Sequence, residues 1–297
     1  MPVRDIPCDT AEEFLDSLSP RGKTLPPVAL PNQFLFRGHS KSSFELLPSA
    51  HRIGARIPVP DGLLEPKTTW TIHQQLAAER DSLLHFFALA DQAGLYLPGD
   101  IPKLREDLEH VAKSPFWPVS SLFSVMALAQ HHGLPTRLLD WTRDGAIAAY
   151  FAAKDAARSV KSGSPLLDGP RTLSVWAFRP RDKYLENPLP TSDRGISAFA
   201  LKIVTAPRSS NPNLHAQKGI FTLLHLAFFN LEALFRRDPL DKLPFDPPLE
   251  FWHFTLPMER APRLLRLLAL DGICASTLFP GYGGVVEALQ EQSCLWD

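Results

Sequence analysis

The chain has 297 residues, of which 44% are hydrophobic, so it can bury a sizeable core as one elaborated domain over residues 1–297. A formal net charge of −1 excludes nucleic-acid binding driven by bulk charge, but leaves a local basic groove open. The three cysteines lack CxxC spacing, and the sequence contains neither a signal-peptide pattern nor an apolar run of membrane-spanning length. We therefore expect a cytoplasmic protein with no membrane partner.

The first half of the chain predicts one strand followed by helices. Residues 31–40, PNQFLFRGHS, alternate as a strand does. Apolar residues then recur at helical spacing over 69–91 and 119–131, and the second of these helices is expected to stop at Gly133. A further helix, rich in small residues, is predicted over 144–157.

The second half of the chain predicts mostly strands. The stretches LSVWAFRP, FALKIVTAP, GIFTLLHL and LEFWHFTLP are rich in Val, Ile, Phe, Trp and Thr and are bounded by Pro or Gly. Two helices near 259–270 and 284–290 close the chain. This order predicts an α+β fold rather than alternating strand–helix units. Since neither GxGxxG nor GxxxxGK[ST] occurs, a Rossmann or P-loop nucleotide site is not expected.

The motif FRGHS places an arginine at the end of the early strand. Arg37 can bind a phosphate through two hydrogen bonds, Gly38 allows a ligand to approach the backbone, and Ser40 adds a hydroxyl group. The alternative is that Arg37 forms a salt bridge at the strand end. The motif by itself does not decide between the two.

The stretch QHHGLPTRLLDWTRDG collects polar residues in what reads as a loop between two helices. The leucines at 138–139 would anchor this loop in the core, which would place Thr136, Arg137 and Asp140 at the rim of a cleft. Trp141 could stack on a ring, and the N-terminus of the following helix would attract an anion. In the alternative reading Asp140 caps that helix and pairs with Arg137, while Trp141 belongs to the core.

Metal and nucleophile chemistry have little support in the sequence. His131 and His132 would point about 100° apart on a helix, so they cannot share one tetrahedral ion. His132 is better suited to cap the helix or to donate into the cleft. No GxSxG motif or spaced carboxylate pair is present, and we expect no metal.

Two later clusters also carry polar groups or glycines. Gln217, just before the predicted strand GIFTLLHL, could hold a ligand hydroxyl or amide, or could bond to the backbone as a loop residue. The stretch TLFPGYGG reads as a turn with a structural role.

Four stretches together resemble the FRG domain, a bacterial and phage-associated family named for its Phe-Arg-Gly motif. They are FLFRGHSKSSFELLPSAHR, ALAQHHGLPTRLLDWTRDGAIAAYFA, AQKGIFTL and LFPGYGG. The resemblance extends from about residue 32 to about residue 289, nearly the whole chain. Its central stretch is long and specific.

The order of these stretches is also similar, more weakly, to that of ADP-ribosyltransferases of the Arg–Ser–Glu kind. This resemblance implies a split β-sheet core with surrounding helices, in which Arg37 takes the place of the phosphate-binding Arg and Thr136 that of the Ser. Gln217 falls where the Glu is expected. A neutral amide stabilises a developing oxocarbenium charge poorly, so Glu250 or Glu287 is considered in its place.

The resemblance implies an enzyme that uses NAD as substrate, a toxin or antiphage effector that modifies protein, DNA or RNA. Trp141 or Tyr150 would pack on a ring of NAD, and His132 and Arg137 would shape the acceptor side. Asp140 would take a proton from the acceptor. The residues expected at the site are Arg37, Gly38, Ser40, His132, Thr136, Arg137, Asp140, Trp141, Tyr150 and Gln217.

Two other classes of function remain open. In the first, the same cleft senses a nucleotide or a nucleic-acid end without catalysis and reports it to a protein partner, an interpretation that Gln217 favours. In the second, His131, His132 and Asp140 hold a metal in a hydrolase or nuclease.

Overall fold

The computed structural model describes residues 3–27, 33–99, 101–111, 117–161, 171–180, 199–207, 211–226, 237–243, 245 and 249–295. In these ranges none of the helices combines the length and the apolar character that crossing a bilayer requires.

Seven strands of the described structure form one mixed sheet. They are β1 Val3–Pro7, β2 Leu35–His39, β5 Leu138–Thr142, β6 Thr172–Phe178, β7 Phe199–Val204, β8 Gly219–Leu226 and β9 Phe251–Pro257. Their order in the sheet is β1-β9-β6-β2-β5-β8-β7, with β1 and β9 paired in parallel and the other neighbours antiparallel. A separate hairpin consists of β3 Ile57–Val59 and β4 Gly62–Leu64.

Helices precede, connect and follow these strands, and short 3₁₀ turns join several of them. The α-helices are α1 Ala11–Leu18, α2 Ile72–Gln92, α3 Ile101–Val111, α4 Phe123–His131, α5 Gly145–Lys161, α6 Pro212–Ala216, α7 Ala261–Leu270, α8 Ala275–Leu278 and α9 Tyr282–Leu295. Together with the sheet they confirm the predicted α+β fold class.

The four strands predicted in the second half of the chain are confirmed, but the predicted loop before α5 is wrong. Leu138–Thr142 is a central strand of the sheet, paired with β8 along its whole length. Leu138 packs in one hydrophobic cluster, whereas Leu139 and Trp141 pack in another. A strand covered on both faces lacks the polar alternation of a half-exposed strand, so the periodicity of LLDWT did not reveal it.

Helix α5 packs closely on β2 because both elements carry small residues at their contact. A Cβ atom added to Gly38 would lie 2.0 Å from the carbonyl oxygen of Ala148, so only glycine fits there. The alanines of α5 are buried in the same cluster as Phe36 and Trp252. Helix packing therefore requires glycine at position 38. The same residue lines the cleft described below, and the approach of a ligand to its backbone stays a prediction.

The sheet opens between β2 and β5. Strand β2 pairs with β6 from Leu35 to His39, but with β5 it shares only the pair of Phe36 and Thr142 within the described residues. Beyond that pair the two strands diverge toward His39 and Leu138. This divergence leaves an opening between β2 and β5 in the middle of the sheet.

Candidate functional site

A cleft with a volume of about 1160 Å³ occupies the opening between β2 and β5. Its walls come from β2 and the segment that follows it, from β5, α5 and α6, and from Gln217 and Arg237. Small-molecule sites commonly measure about 300–1,000 Å³, so the space is sufficient for a dinucleotide.

Arg37 lines this cleft and is held by two neighbours. Its Nη1 donates to the main-chain oxygen of Asp140 at 2.7 Å, and its Nε donates to Nε2 of His39 at 3.0 Å. Among the described residues no hydrogen bond engages Nη2, and the side chain is 14% exposed. The guanidinium group is therefore fixed in orientation, with donor capacity left for a ligand.

His39 is a neutral acceptor for Arg37. Burial, together with the positive charges of Arg37 and Arg52, lowers the pKa of His39 to about 3. A neutral ring whose Nε2 accepts a hydrogen bond carries its proton on Nδ1. No sequence motif indicated a role for His39, although its position two residues after Arg37 places both side chains on one face of the strand.

Arg52 brings a second guanidinium group to the same cleft. Its Nε donates to the main-chain oxygen of Leu47 at 3.1 Å. Burial and repulsion by Arg37 lower the pKa of Arg52, and Asp140 acts in the opposite direction. Two like charges thus face one cleft, and the carboxylate that offsets their repulsion at Arg52 is that of Asp140, whose side chain is 56% exposed. Such an arrangement favours an anionic ligand.

Thr136 does not line the cleft but stands behind it, which corrects its expected contact with the ligand. It is 4% exposed, and its hydroxyl oxygen accepts the N–H of Leu138 at 3.1 Å. The hydroxyl group donates to Oε1 of Gln130, whose amide nitrogen in turn donates to Oδ1 of Asp140. Gln130, for which no sequence motif indicated a role, therefore connects Thr136 to the cleft.

Gln217 lines the cleft with Arg37 and Asp140. It caps the C-terminus of α6, where its main-chain oxygen accepts the hydroxyl of Thr142 at 2.8 Å. Its side-chain Nε2 donates to the main-chain oxygen of Leu278 at 3.1 Å, just before the FPGYGG turn. The carboxamide thus lies at the cleft, as the ligand-binding interpretation expects, and its nitrogen is bonded to backbone, as the loop interpretation expects.

Ser40 and Trp141 also line the cleft, but Trp141 belongs mainly to the core. Trp141 is 3% exposed, its Nε1 donates to Thr222 Oγ1 at 2.9 Å, and its ring meets Phe178 edge-on at 4.7 Å. It can offer a ligand little of its ring face in this arrangement.

Arg137 is buried away from the cleft, which corrects the expectation that it shapes an acceptor site. Its Nε donates to Oε2 of Glu79 at 2.5 Å, and the side chains of both residues are nearly inaccessible. Burial would raise the pKa of Glu79, but Arg137 and His51 lower it to about 2. His51 lies 3.3 Å from Glu79 and lines the cleft, so this ion pair supports the cleft wall from behind.

Tyr150 and His132 are likewise outside the cleft. Helix α5 presents Ala148, Phe151 and Asp155 to the cleft, and Tyr150 points about 100° away from Phe151 into the core. There its hydroxyl donates to the buried carboxylate of Glu291. His132 is exposed at the C-cap of α4, as its capping alternative predicted.

The two glutamates considered in place of Gln217 do not line the cleft. Glu287 instead pairs with Lys154 at 2.6 Å and Arg158 at 3.2 Å. Within the described ranges, no group of three or more His, Cys, Asp and Glu side chains could hold a metal ion. The carboxylates that do line the cleft are Glu45, Asp140, Asp155 and Asp238.

Comparison with known proteins gave a family match to part of the chain. The family model of the FRG domain matches residues 32–161, from just before β2 to the end of α5. This match contains the first two of the four stretches that carry the resemblance, with Arg37, Arg52, Gln130 and Asp140; Gln217 lies outside it. Neither the curated proteins nor the solved structures gave a match.

Proposed function

We propose, with the FRG-domain match over residues 32–161 as the premise, that this protein binds NAD in the cleft and transfers ADP-ribose to a protein or nucleic-acid acceptor. The observation that carries the proposal is the convergence of Arg37 and Arg52 on one cleft of sufficient volume for a dinucleotide. The diverging strands β2 and β5 support it further, since the resemblance to ADP-ribosyltransferases implies a split sheet.

The two arginines would bind the diphosphate of NAD. The free Nη2 of Arg37 and the guanidinium of Arg52 would donate to phosphate oxygens, and the ligand charge would offset the repulsion between them. The edges of Phe44, which is 48% exposed, and of Phe151 offer apolar surface to the rings.

Transfer would then proceed at C1′ of the nicotinamide ribose. The C1′–N bond breaks, nicotinamide leaves with the bonding electrons, and an acceptor oxygen or nitrogen forms the new bond to C1′. The Asp140 carboxylate accepts the proton that the acceptor loses. Gln217, at the same cleft, would bond to a ribose hydroxyl through its amide oxygen.

One observation favours a second candidate, a sensor that binds the nucleotide without altering it. Gln217 has no negative charge to stabilise an oxocarbenium ion, and its amide nitrogen is already bonded to Leu278. In that case the ligand would leave unchanged, and its binding would be reported to a protein partner.

Purified protein incubated with labelled NAD and mixed protein, DNA and RNA acceptors tests the proposal. Transferred label and released nicotinamide, both lost in Arg37→Ala and retained in the exposed control Arg263→Ala, are the expected result. Recovery of intact NAD from protein that NAD stabilises would replace the transferase with the sensor. Saturation at 100 times the dissociation constant should add about 2.7 kcal/mol to the free energy of unfolding. Folded protein with neither binding nor turnover would contradict both.

A further inference from the structure

We propose that Gln130 is a positioning residue that holds the Asp140 carboxylate off the Arg37 guanidinium and so keeps the charge of Arg37 and Arg52 available to a diphosphate group. The inference rests on the anion-binding part of the proposed function. It does not require that NAD be turned over.

The carboxylate of Asp140 lies near the guanidinium group of Arg37 without forming a close ion pair with it. Nη1 of Arg37 lies 2.7 Å from the main-chain oxygen of Asp140 and 3.4 Å from its Oδ2. Close arginine–carboxylate pairs have two parallel hydrogen bonds of about 2.7–2.9 Å. Here the short bond goes to a neutral peptide oxygen, and the carboxylate makes only the long contact.

Gln130 accounts for the position of that carboxylate. Its amide nitrogen donates to Oδ1 of Asp140, whereas the 3.4 Å contact with Arg37 is made by the other carboxylate oxygen, Oδ2. An Asp140 side chain released from Gln130 would be able to turn both oxygens toward the guanidinium group, because it is more than half exposed. The resulting ion pair would compete with any anionic ligand for the same donors.

The orientation of Gln130 is itself determined by Thr136. The Thr136 hydroxyl donates to Oε1 of Gln130 and accepts the Leu138 N–H at 3.1 Å, and it is buried next to the start of β5. Since the amide oxygen of Gln130 is occupied as an acceptor, its NH₂ group is directed to Asp140. The buried threonine thus controls the charge of a cleft that it does not touch.

A double-mutant cycle tests the inference on the full chain, with inorganic diphosphate and ADP as probes in titration calorimetry. We expect Gln130→Ala to weaken diphosphate binding by about tenfold, the value of one charge-assisted hydrogen bond. Asp140→Asn should bind as tightly as the wild type or more tightly, and Gln130→Ala should cause no further loss in that background. Gln92→Ala, an exposed glutamine at the end of α2, is the matched control. An unchanged affinity in Gln130→Ala, or an equal loss in both backgrounds, would overturn the inference.

Substitutions of Thr136 provide a second, independent test of whether its hydroxyl group orients Gln130. Thr136→Ser keeps the hydroxyl and should bind diphosphate normally, whereas Thr136→Val should bind like Gln130→Ala. Thr136→Val also leaves the Leu138 N–H without its acceptor, so its folding is checked by circular dichroism. If Thr136→Val does not fold, the double-mutant cycle of Gln130→Ala and Asp140→Asn still tests the positioning role of Gln130.

The outcomes separate this inference from the proposed enzyme. A cycle with the expected result, in a protein that releases no nicotinamide from NAD, would support the positioning role and contradict the transferase. If NAD is turned over but Gln130→Ala leaves the diphosphate affinity unchanged, or weakens it equally with and without Asp140→Asn, only the positioning role is overturned. Wild-type protein that binds neither diphosphate nor ADP would overturn the positioning role, together with the anion site on which it depends.

Discussion

The guanidinium Nη1 of Arg37 donates to the main-chain oxygen of Asp140 at 2.7 Å, across the gap where β2 and β5 no longer pair. A side chain thus satisfies a carbonyl group near the point where the two strands separate. The arginine of the Phe-Arg-Gly motif therefore both bridges the two strands and places a positive charge at the cleft. Its removal should affect these two properties to different degrees.

Arg37→Ala should lower the affinity for ADP by at least about tenfold, because it removes charge-assisted bonds to phosphate. The free energy of unfolding should fall by only about 1–2 kcal/mol, since the bonds it loses lie at the cleft rather than in the apolar core. Calorimetry and urea denaturation measure the two effects, with Arg263→Ala as the control. Global unfolding of Arg37→Ala would show that the salt-bridge alternative describes this residue better.

Glu79→Gln should lower the free energy of unfolding by about 3–5 kcal/mol, because it leaves the charge of Arg137 buried without its partner. Urea denaturation at neutral pH measures this loss. The exposed pair of Arg171 and Glu259 provides the control, and Glu259→Gln should change stability little. A loss as small as that of the control would mean that Arg137 finds another partner or water.

Gly38→Ala should destabilise the protein by about 3 kcal/mol, because its Cβ would overlap the backbone of α5 near Ala148 and Ala152. Gly283 has no atom within 4 Å of an added Cβ and lies in α9, so Gly283→Ala should be neutral or slightly stabilising. Thermal unfolding of both variants checks the difference. Equal melting temperatures would contradict the close packing of β2 on α5.

The free energy of unfolding should decrease as the pH falls from about 6.5 toward 4.5. The folded protein keeps His39 neutral, with a pKa of about 3, whereas the unfolded chain protonates it at its ordinary value. The unfolded state therefore binds more protons in this range, and stability rises with pH by up to about 1.4 kcal/mol per pH unit for this histidine. Burial lowers the pKa of His51 and adds in the same direction. Glu79, whose pKa is lowered to about 2, adds a loss in the same direction that develops as the pH falls through its ordinary value of 4.5.

Urea denaturation between pH 7 and pH 4.5 measures this dependence. In His39→Gln the slope should be smaller, because glutamine does not titrate yet can accept the Arg37 Nε–H. His73 is exposed, so His73→Gln is the matched control and should retain the wild-type slope. An unchanged slope in His39→Gln would contradict the neutral, buried state of this ring.

Local sequence was sufficient to predict the strands of the second half, the helix stop at Gly133 and an early strand that carries Arg37. The strand does not end at Arg37 as predicted, because Gly38 and His39 continue its pairing with β6. Val, Ile and aromatic residues between Pro and Gly indicate strands without knowledge of their partners. The α+β order also follows from the sequence, because the apolar period changes along the chain. The position of Arg37 and Gln217 at one cleft was expected from the resemblance, and the structure places both there.

Only the tertiary structure decided which polar residues of QHHGLPTRLLDWT face the cleft. Asp140 is at the cleft, Thr136 supports it through Gln130, and Arg137 is paired with Glu79, which lies far away in sequence. A short polar stretch shows how many hydrogen bonds must be satisfied but not which distant group satisfies each one. For the same reason the sequence did not predict Arg52 at the cleft. Its role depends on the separation of β2 and β5, and strand pairing is set by contacts between segments that are distant in the sequence.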